Sequence, residues 1–381
     1  MPFDDIPRAA WDRLLAATPA ATPFSRWTVH RAWWDAYGDT AHQQYLCLAA
    51  AGGGEAPGGV DALDPDSLVA IVPLMHRHEV EPMDAATATA LRRSSRHVSP
   101  VAPDAKAVFM GASYHADYAT LLCAPDDLPA VAQAVVQDLA SAPDPGHGHQ
   151  PWDVVDLRRF RDDDPALPAL ENAFRAVADA HRWEVMREVE DVCPVATLPA
   201  DGDWDAYLAG LDKKSRHEIR RKMRRAESAG PLELRLVDPT QEAIDVFVDL
   251  HQARWGDDGL FPDSPGGDRS RRFLHRMAEL EAAEGDPGQL QLGRVEAGGR
   301  LIFATVGFDD GTTCYFYNAG MDPDARELSP GVTGTAAYIR DRLAAGRSRF
   351  DFLRGDEPYK YEWGAVDEPI HRLLVSRMVE T

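Results

Sequence analysis

A chain of 381 residues predicts two domains and is long enough to bury about 75% of its unfolded surface. Its composition, 44% hydrophobic and 27% charged, is that of a globular protein and excludes disorder as the main state. A formal net charge of −22 excludes attraction of the whole surface to DNA, RNA or an anionic membrane.

The four cysteines, Cys47, Cys123, Cys193 and Cys314, are scattered with no Cys-x-x-Cys spacing. Neither a disulfide framework nor a zinc site is expected, and a reducing cytoplasm fits. The 13 histidines are dispersed; His76 and His78 read as flanks of a strand end, and no metal is expected. The N-terminus, Met1-Pro2-Phe3-Asp4-Asp5-Ile6, is acidic with no apolar run behind it, and no stretch reaches the length of a membrane span. Neither secretion nor membrane insertion is expected.

In chain order, the first half opens with a helix from about Trp11 to Ala17. A second follows, with Trp27, Trp34 and Tyr37 near helical spacing and Gly38 as its stop, which reads as a core-facing aromatic stripe. Tyr45–Ala50 and Ser67–Met75 read as strands, separated by a Gly-, Pro- and Asp-rich loop from Ala51 to Asp66. Asp84–Ala90 has no clear character. Tyr114–Leu122 reads as a strand, Leu128–Leu139 as a helix, and Trp152–Leu157 as a strand after a loop from Ser141 to Pro151. A helix from about Leu167 to Arg182 and paired strands across Glu184–Leu198 complete this half. Pro199-Ala200-Asp201-Gly202-Asp203 then breaks the pattern and sets the domain boundary, giving 1–199 and 200–381.

The second half repeats that layout, beginning with a helix over Asp212–Gly230. Lys213, Lys214, Arg216, Arg220, Arg221, Lys222, Arg224 and Arg225 crowd it, over a narrow stripe of Ser215, Ile219, Met223 and Ala226. Such a face is either solvated and paired with acidic neighbours or a local anion site, and salt dependence separates the two. Helices over Glu242–Trp255 and Arg271–Glu284 flank a loop. Arg254, near the end of the first, carries the bidentate fork that suits a substrate carboxylate or phosphate.

Strands follow over Gln289–Glu296 and Leu301–Phe308. Asp309-Asp310-Gly311 supplies the positive φ of a hairpin turn. The next strand, Thr312–Asn318, leads to Ser329-Pro330-Gly331, where Ser is placed to cap and Pro suits a first helical turn. That helix, Val332–Ala345, stops at Gly346. A strand over Arg349–Leu353 then runs into Arg354-Gly355-Asp356-Glu357-Pro358-Tyr359-Lys360-Tyr361-Glu362-Trp363. Strand, helix and strand in this order predict parallel neighbours, with a ligand at their carboxyl ends beside the helix N-terminus.

The run from Ser329-Pro330-Gly331 to Arg354-Gly355-Asp356-Glu357-Pro358-Tyr359-Lys360 closely resembles the end of the BioF2-like (CelD-type) acetyltransferase domain. That family belongs to the GNAT superfamily and is similar to the FemABX aminoacyltransferases. The resemblance implies an α/β fold of two tandem GNAT-like domains, each a mixed central sheet flanked by helices. It also implies an N-acyltransferase that moves an acyl group, acetyl by expectation, from acyl-CoA to an amine. The reacting segment occurs once, in the second half, and the first half is expected to shape the acceptor side.

Acyl transfer needs a neutral amine, a stabilised oxyanion and a proton for the leaving thiolate. Asp356 and Glu357, just past a strand end, are the expected bases. Tyr359 is the expected acid for the thiolate, and Lys360 the charge that offsets a phosphate or leaving group. Backbone N–H groups of the strand Tyr315 to Asn318 are expected to hold the oxyanion, and Tyr317 and Asn318 to take part in binding the donor. Ser329, Pro330, Gly331, Val332, Thr333 and Gly334 are expected to cradle the donor, and Arg254 and Arg354 to bind substrate.

The superfamily's pyrophosphate loop carries Arg or Gln, two spacers, Gly, a spacer, then Gly or Ala. With its first Gly on Gly331, Leu328 and Thr333 stand at the other two places. Helix N-terminal amides do not depend on side chains, so the cradle survives that departure. Two alternatives stay open: an aminoacyl-tRNA donor, with the basic helix gripping RNA, and a non-catalytic binding subunit in envelope or polysaccharide assembly.

Overall fold

The computed structural model describes residues 1–50, 65–77, 98–102, 104–141, 151–284 and 288–378. The chain divides into two compact units, one from Met1–Ala86, Ser95–Asp191 and Pro369–Thr381, the other from Thr87–Ser94 and Val192–Glu368. The expected loops at Ala51–Asp66 and Ser141–Pro151 lie for the most part outside the described residues, as do the stretch Asp84–Ala90 and His78.

The first unit begins with helices α1 (Arg8–Ala17) and α2 (Trp27–Tyr37). Trp33, Trp34 and Tyr37 of α2 are buried, as an aromatic stripe on a core-facing helix requires. Strands β1 (His42–Gln43), β2 (Leu46–Ala49), β3 (Leu68–Val72), β4 (Leu74–Arg77), β5 (Ala107–Met110) and β6 (Leu122–Cys123) lead to helix α3 (Leu128–Ala140). Strand β7 (Val154–Arg161), helix α4 (Ala166–His181) and the start of β8 (Trp183–Thr197) follow, and the unit is completed by the end of β14 (Val366–Arg377).

Its main sheet runs β1-β4-β5-β7-β14-β8, and a small one runs β2-β3-β6. Strands β5 and β7 are parallel across α3, from Ala107↔Val154 to Phe109↔Asp156. Val135, Leu139, Trp152, Phe160 and Phe174 are among the side chains that close the core.

Three expectations for this unit are corrected. The strand read over Ser67–Met75 is two strands in different sheets, because Pro73 between them has no N–H for a ladder. The stretch read as a strand over Tyr114–Leu122 is irregular and joins a ladder only at Leu122, the first residue of β6; the regular strand is Ala107–Met110, and Ala112, at φ 58°, takes the chain out of it. The segment is buried for a different reason: His115 Nε2 lies 2.9 Å from Tyr37 Oη in the core. The paired strands read over Glu184–Leu198 are the single 15-residue β8, which runs on through Asp191 and Pro194 without turning back.

The second unit holds helices α5 (Trp204–Gly210), α6 (Lys213–Glu227), α7 (Gln241–Trp255) and α8 (Pro265–Glu284), α9 (Pro330–Ala344) and the single turn α10 (Pro358–Tyr361). Its strands are β9 (Leu232–Val237), β10 (Leu290–Ala297), β11 (Arg300–Asp309), β12 (Thr313–Met321) and β13 (Arg349–Asp351). The ladder runs β8-β13-β12-β11-β10-β9. Strands β12 and β13 are parallel across α9, as their order in sequence predicts, from Thr313↔Arg349 to Tyr315↔Asp351. The rings of Phe316 and Phe350 lie 5.6 Å apart, and those of Phe350 and Phe352 4.9 Å. Pairs of this kind contribute about 0.5–1.5 kcal/mol each beyond their buried area.

The division into units does not follow chain order at 199/200. Val195–Thr197 of β8 pair with β13 in the second unit, while Ile370–Ser376 of β14 pair with β7 in the first. Each half of the sequence therefore lends a strand to the unit built mainly from the other half.

Candidate active site

Strands β12 and β13 pair only as far as Tyr315↔Asp351, and then the chain after β13 leaves. Phe352 N donates to Pro194 O at 3.0 Å and Gly355 N to Val192 O at 2.7 Å, so this segment follows β8 and not β12. Leu353 at φ 58° and Gly355 at φ 116° make the bend. Strand β12 continues to Met321, which leaves the backbone of Phe316–Asn318 past the last β13 pair.

A β-bulge falls at the same place. Val306↔Asn318 and Phe308↔Tyr315 set Phe316 and Tyr317 against the single residue Gly307. A Cβ on Gly307 would lie 2.3 Å from the Tyr315 carbonyl, so only glycine fits there. Tyr317 and Asn318 are half-buried. The Asn318 carbonyl is taken by the Thr305 hydroxyl at 2.9 Å, and its Oδ1 accepts from Ala319 N at 2.7 Å.

Helix α9 begins beside the end of β12. A Cβ on Gly331 would meet Met321 Cε at 3.2 Å, so the helix start and the strand end are in near contact. Pro330 occupies the first helical turn as expected, but Ser329 does not cap. It sits at φ 54° in the left-handed region, and its carbonyl accepts from Val332 N and Thr333 N at 3.0 Å each.

The six residues expected to cradle a donor divide. Ser329, Gly331 and Val332 are partly accessible, whereas Pro330, Thr333 and Gly334 are buried. Thr333 Oγ1 donates to the carbonyls of Leu328 and Ser329. A Cβ on Gly334 would lie 2.3 Å from the Phe303 ring, so this glycine lets the helix pack on the sheet. Leu328 is buried too and presents no charge.

The expected catalytic segment divides in the same way. Lys360 is 3% exposed, and its Nζ donates to the carbonyls of Leu353 and Arg354 at 2.9 Å and of Gly355 at 3.0 Å. Its three donors are thereby used, and Glu357 Oε2 stands 3.0 Å away as counter-charge. Lys360 is a clamp on the bend and not a charge offered to a phosphate or leaving group, which corrects the expectation. Asp356 is half-buried, with no side-chain hydrogen bond among the described residues. Arg354 is half-buried.

Tyr359 leaves 44% of its surface exposed, with its ring edge-on to Phe352 at 6.2 Å. Burial nonetheless raises its pKa above the usual phenol value, the Glu357 carboxylate raises it further, and the Arg254 guanidinium opposes both. At neutral pH such a phenol keeps its proton.

Helix α7 closes the other side of β12. A Cβ on Gly320 would lie 2.4 Å from His251 N, so helix and strand meet backbone to backbone. That puts Arg254 at the strand end, with Nη1 against Met321 Sδ and the guanidinium 4.6 Å over the Trp255 ring. His251 is 2% exposed, and burial, then the nearby Arg254 charge, push its pKa down to about 4. Sequence reasoning singled out neither Met321, Trp255, His251 nor the bulge at Gly307. Glycines 307 and 320 inside strands were the available signal.

The residues 213–361, which hold this arrangement, match the family model of the acetyltransferase (GNAT) domain. This part of the chain is a GNAT-type acetyltransferase domain. Over its whole length the chain is similar to solved structures, at identities that carry fold alone. FemX matches with a TM-score of 0.56 at 10% identity, covering 97% of this chain and 96% of that one. A conserved protein of unknown function from Bacteroides thetaiotaomicron matches with 0.55 at 12%, covering 98% of each. A tandem GNAT protein from the clavulanic acid pathway has a TM-score of 0.44 at 12%, covering 100% and 98%. No curated protein matches the chain in sequence.

The GNAT domain is of acyltransferase type, in a mixed α/β fold with helices on the sheet. Among the described residues no cluster of three or more His, Cys, Asp or Glu is placed to hold a metal ion, and no helix is long and apolar enough to cross a membrane. The basic helix α6 starts on an Asp212 cap that accepts from Lys214 N and Ser215 N at 2.9 and 3.1 Å. Ile219, Met223 and Ala226 are buried beneath it. Arg220 pairs with Asp205, and Arg221 and Lys222 with Glu218, while Lys213, Lys214 and Arg225 pair with no carboxylate among the described residues.

Proposed function

We propose that this protein is an N-acyltransferase that uses acyl-CoA, with acetyl the simplest acyl group, and an amine acceptor. The observation that carries the reading is the opening of β12 from β13 after Tyr315, beside the accessible start of α9 at Gly331 and Val332. An extended thioester chain fits between separated strands, and its phosphates fit the positive end of the helix at the Gly331 amide, since the Val332 and Thr333 amides are taken by Ser329 O.

In this reading the acceptor nitrogen attacks the thioester carbon and the carbonyl oxygen becomes an oxyanion beside the bulged backbone of Phe316 and Tyr317. The C–S bond then breaks, and Tyr359, protonated at neutral pH, gives its proton to the departing sulfur. Asp356 takes the proton that the amine loses. Glu357 and Lys360 act by holding the segment in place. The test is an acetyl-CoA turnover assay, with free thiol as the readout, over a panel of amines. No thiol release above the rate of hydrolysis with any of them would remove the reading.

A second reading, an aminoacyl-tRNA donor, is favoured by the exposed cations of α6 that pair with no carboxylate among the described residues. Every phosphate that such a Lys or Arg neutralises makes binding fall more steeply as salt rises. Charged tRNA that binds with a steep salt slope, alongside no stabilisation by CoA, would select it.

A further inference from the structure

Arg254 is a cation in an unusual setting. Its guanidinium lies between the Trp255 ring, at 4.6 Å, and the Met321 thioether, and no carboxylate pairs with it among the described residues. Asp257 and Asp258 on the next turn are exposed and make no ion pair with it. Partial loss of solvent at the guanidinium lowers its pKa, and neither a thioether nor a ring returns what a counter-ion would. Its neighbour Trp255 is a large exposed aromatic residue, at 45%, and so is Tyr359, at 44%, whose phenol is near enough for the two groups to shift each other's pKa. Apolar rings left in water around an unmatched cation form a surface shaped for an anion attached to a flat or ring-shaped body.

Resting on the acyltransferase reading, we propose that Arg254, Trp255 and Tyr359 form the acceptor subsite, and that the acceptor is an amine bearing its own oxyanion, a carboxylate or a phosphate. The guanidinium, over the Trp255 ring at 4.6 Å, offers its free N–H groups to two oxygens of that group. The same contact sets the amine against Tyr359 and Asp356, where the transfer occurs. Specificity then follows from polar pairing: an acceptor without the anion leaves Arg254 unmatched.

The experiment compares pairs of amines that differ in the anion alone. Glycine against glycinamide tests the carboxylate, and glucosamine 6-phosphate against glucosamine tests the phosphate. The wild-type protein should favour the anionic member of at least one pair by roughly tenfold to a hundredfold in kcat/KM. Arg254→Met should erase that preference and Arg254→Lys retain part of it, with the KM for acetyl-CoA unmoved in both.

Equal preference in wild type and Arg254→Met overturns the proposal, as does a change confined to the donor KM. Thermal shift with the same four amines supplies an arm without turnover. Salt-sensitive stabilisation by the anionic member, lost in Arg254→Met, supports the subsite even if acetyl-CoA is not consumed, in which case only the donor assignment fails. No difference between the two proteins with any of the four overturns the subsite whatever the donor.

Discussion

Lys360 Nζ donates to the carbonyl of Leu353 at 2.9 Å, across the bend by which the chain leaves β12. Leu353 is at φ 58°, a left-handed conformation that costs a residue with a side chain about 1–2 kcal/mol. The ammonium gathers the three successive carbonyls from Leu353 to Gly355, and so directs the chain away from β12.

Lys360→Met should therefore destabilise the second unit by about 2–4 kcal/mol, since it strands buried carbonyls and the Glu357 carboxylate. Urea denaturation checks this. A variant of unchanged stability that loses activity would instead return Lys360 to the chemistry.

The two glycines of α9 should separate packing from binding. Gly334→Ala drives a Cβ into the Phe303 ring at 2.3 Å and should cost about 1–3 kcal/mol of stability. Gly331→Ala meets only the flexible Met321 side chain, at 3.2–3.4 Å, and should leave the melting temperature within a degree or so. The same methyl group partly covers the start of the helix, so the KM for acyl-CoA should rise about tenfold. Equal effects of both variants on stability would show that the helix start is only a packing contact.

Tyr359→Phe removes a hydroxyl from an accessible ring and should leave stability nearly unchanged. Turnover should fall about 10²- to 10⁴-fold with the donor KM preserved, as expected when a proton donor is lost. Because burial raises the phenol's pKa, turnover by the wild type should show no loss of the acid form between pH 7 and about 9. An unchanged rate in Tyr359→Phe would remove the residue from the mechanism.

The parallel β12–α9–β13 unit was legible because its signals are local: aromatic and β-branched strand residues, Pro330 in the first helical turn, and Gly346, at φ 79°, past the last. The roles of Lys360 and Gly334 were not legible. Both depend on neighbours remote in space or hidden by the bend, three carbonyls for one and the Phe303 ring for the other. Charge alone made Lys360 look like a phosphate ligand. Arg254 stood out in the sequence as a candidate, but its lack of a carboxylate partner among the described residues is a property of the folded chain. Nor could a sequence pattern show that β8 and β14 change units, since each reads as an ordinary strand whichever neighbour it meets.

Three buried histidines set a pH limit. Burial pushes His251 down to about 4, and His30 and His115 to about 3. Each is neutral in the folded protein, while its unfolded counterpart titrates near 6.5. As pH falls below about 6.5, the unfolded chain takes up protons that the folded chain refuses, so stability is full above that value and declines towards about 4. The slope is up to about 1.4 kcal/mol per pH unit for each histidine. His251→Phe should flatten the decline of the second unit in urea titrations at pH 7, 6 and 5; an identical slope would mean that His251 is charged in the fold.

Strand exchange gives the last prediction. In the first unit β14 pairs with β7 from Ile370↔Arg161 to Ser376↔Val154, and Leu373 and Val375 fill its core. Arg372, with none of its side chain exposed, is bound to Asp156 at 2.6 and 2.8 Å. The surrounding charges hold the Asp156 carboxyl below its usual pKa even though burial opposes this. A chain ending after Glu368 lacks this pairing and leaves Asp156 buried with Arg158 alone. The first unit should then fail to fold, although every deleted residue lies at the far end of the sequence. Added in trans, a peptide of residues 365–381 should restore protection of β7 amides from hydrogen exchange. Native-like protection without the peptide would show that the first unit does not need the strand.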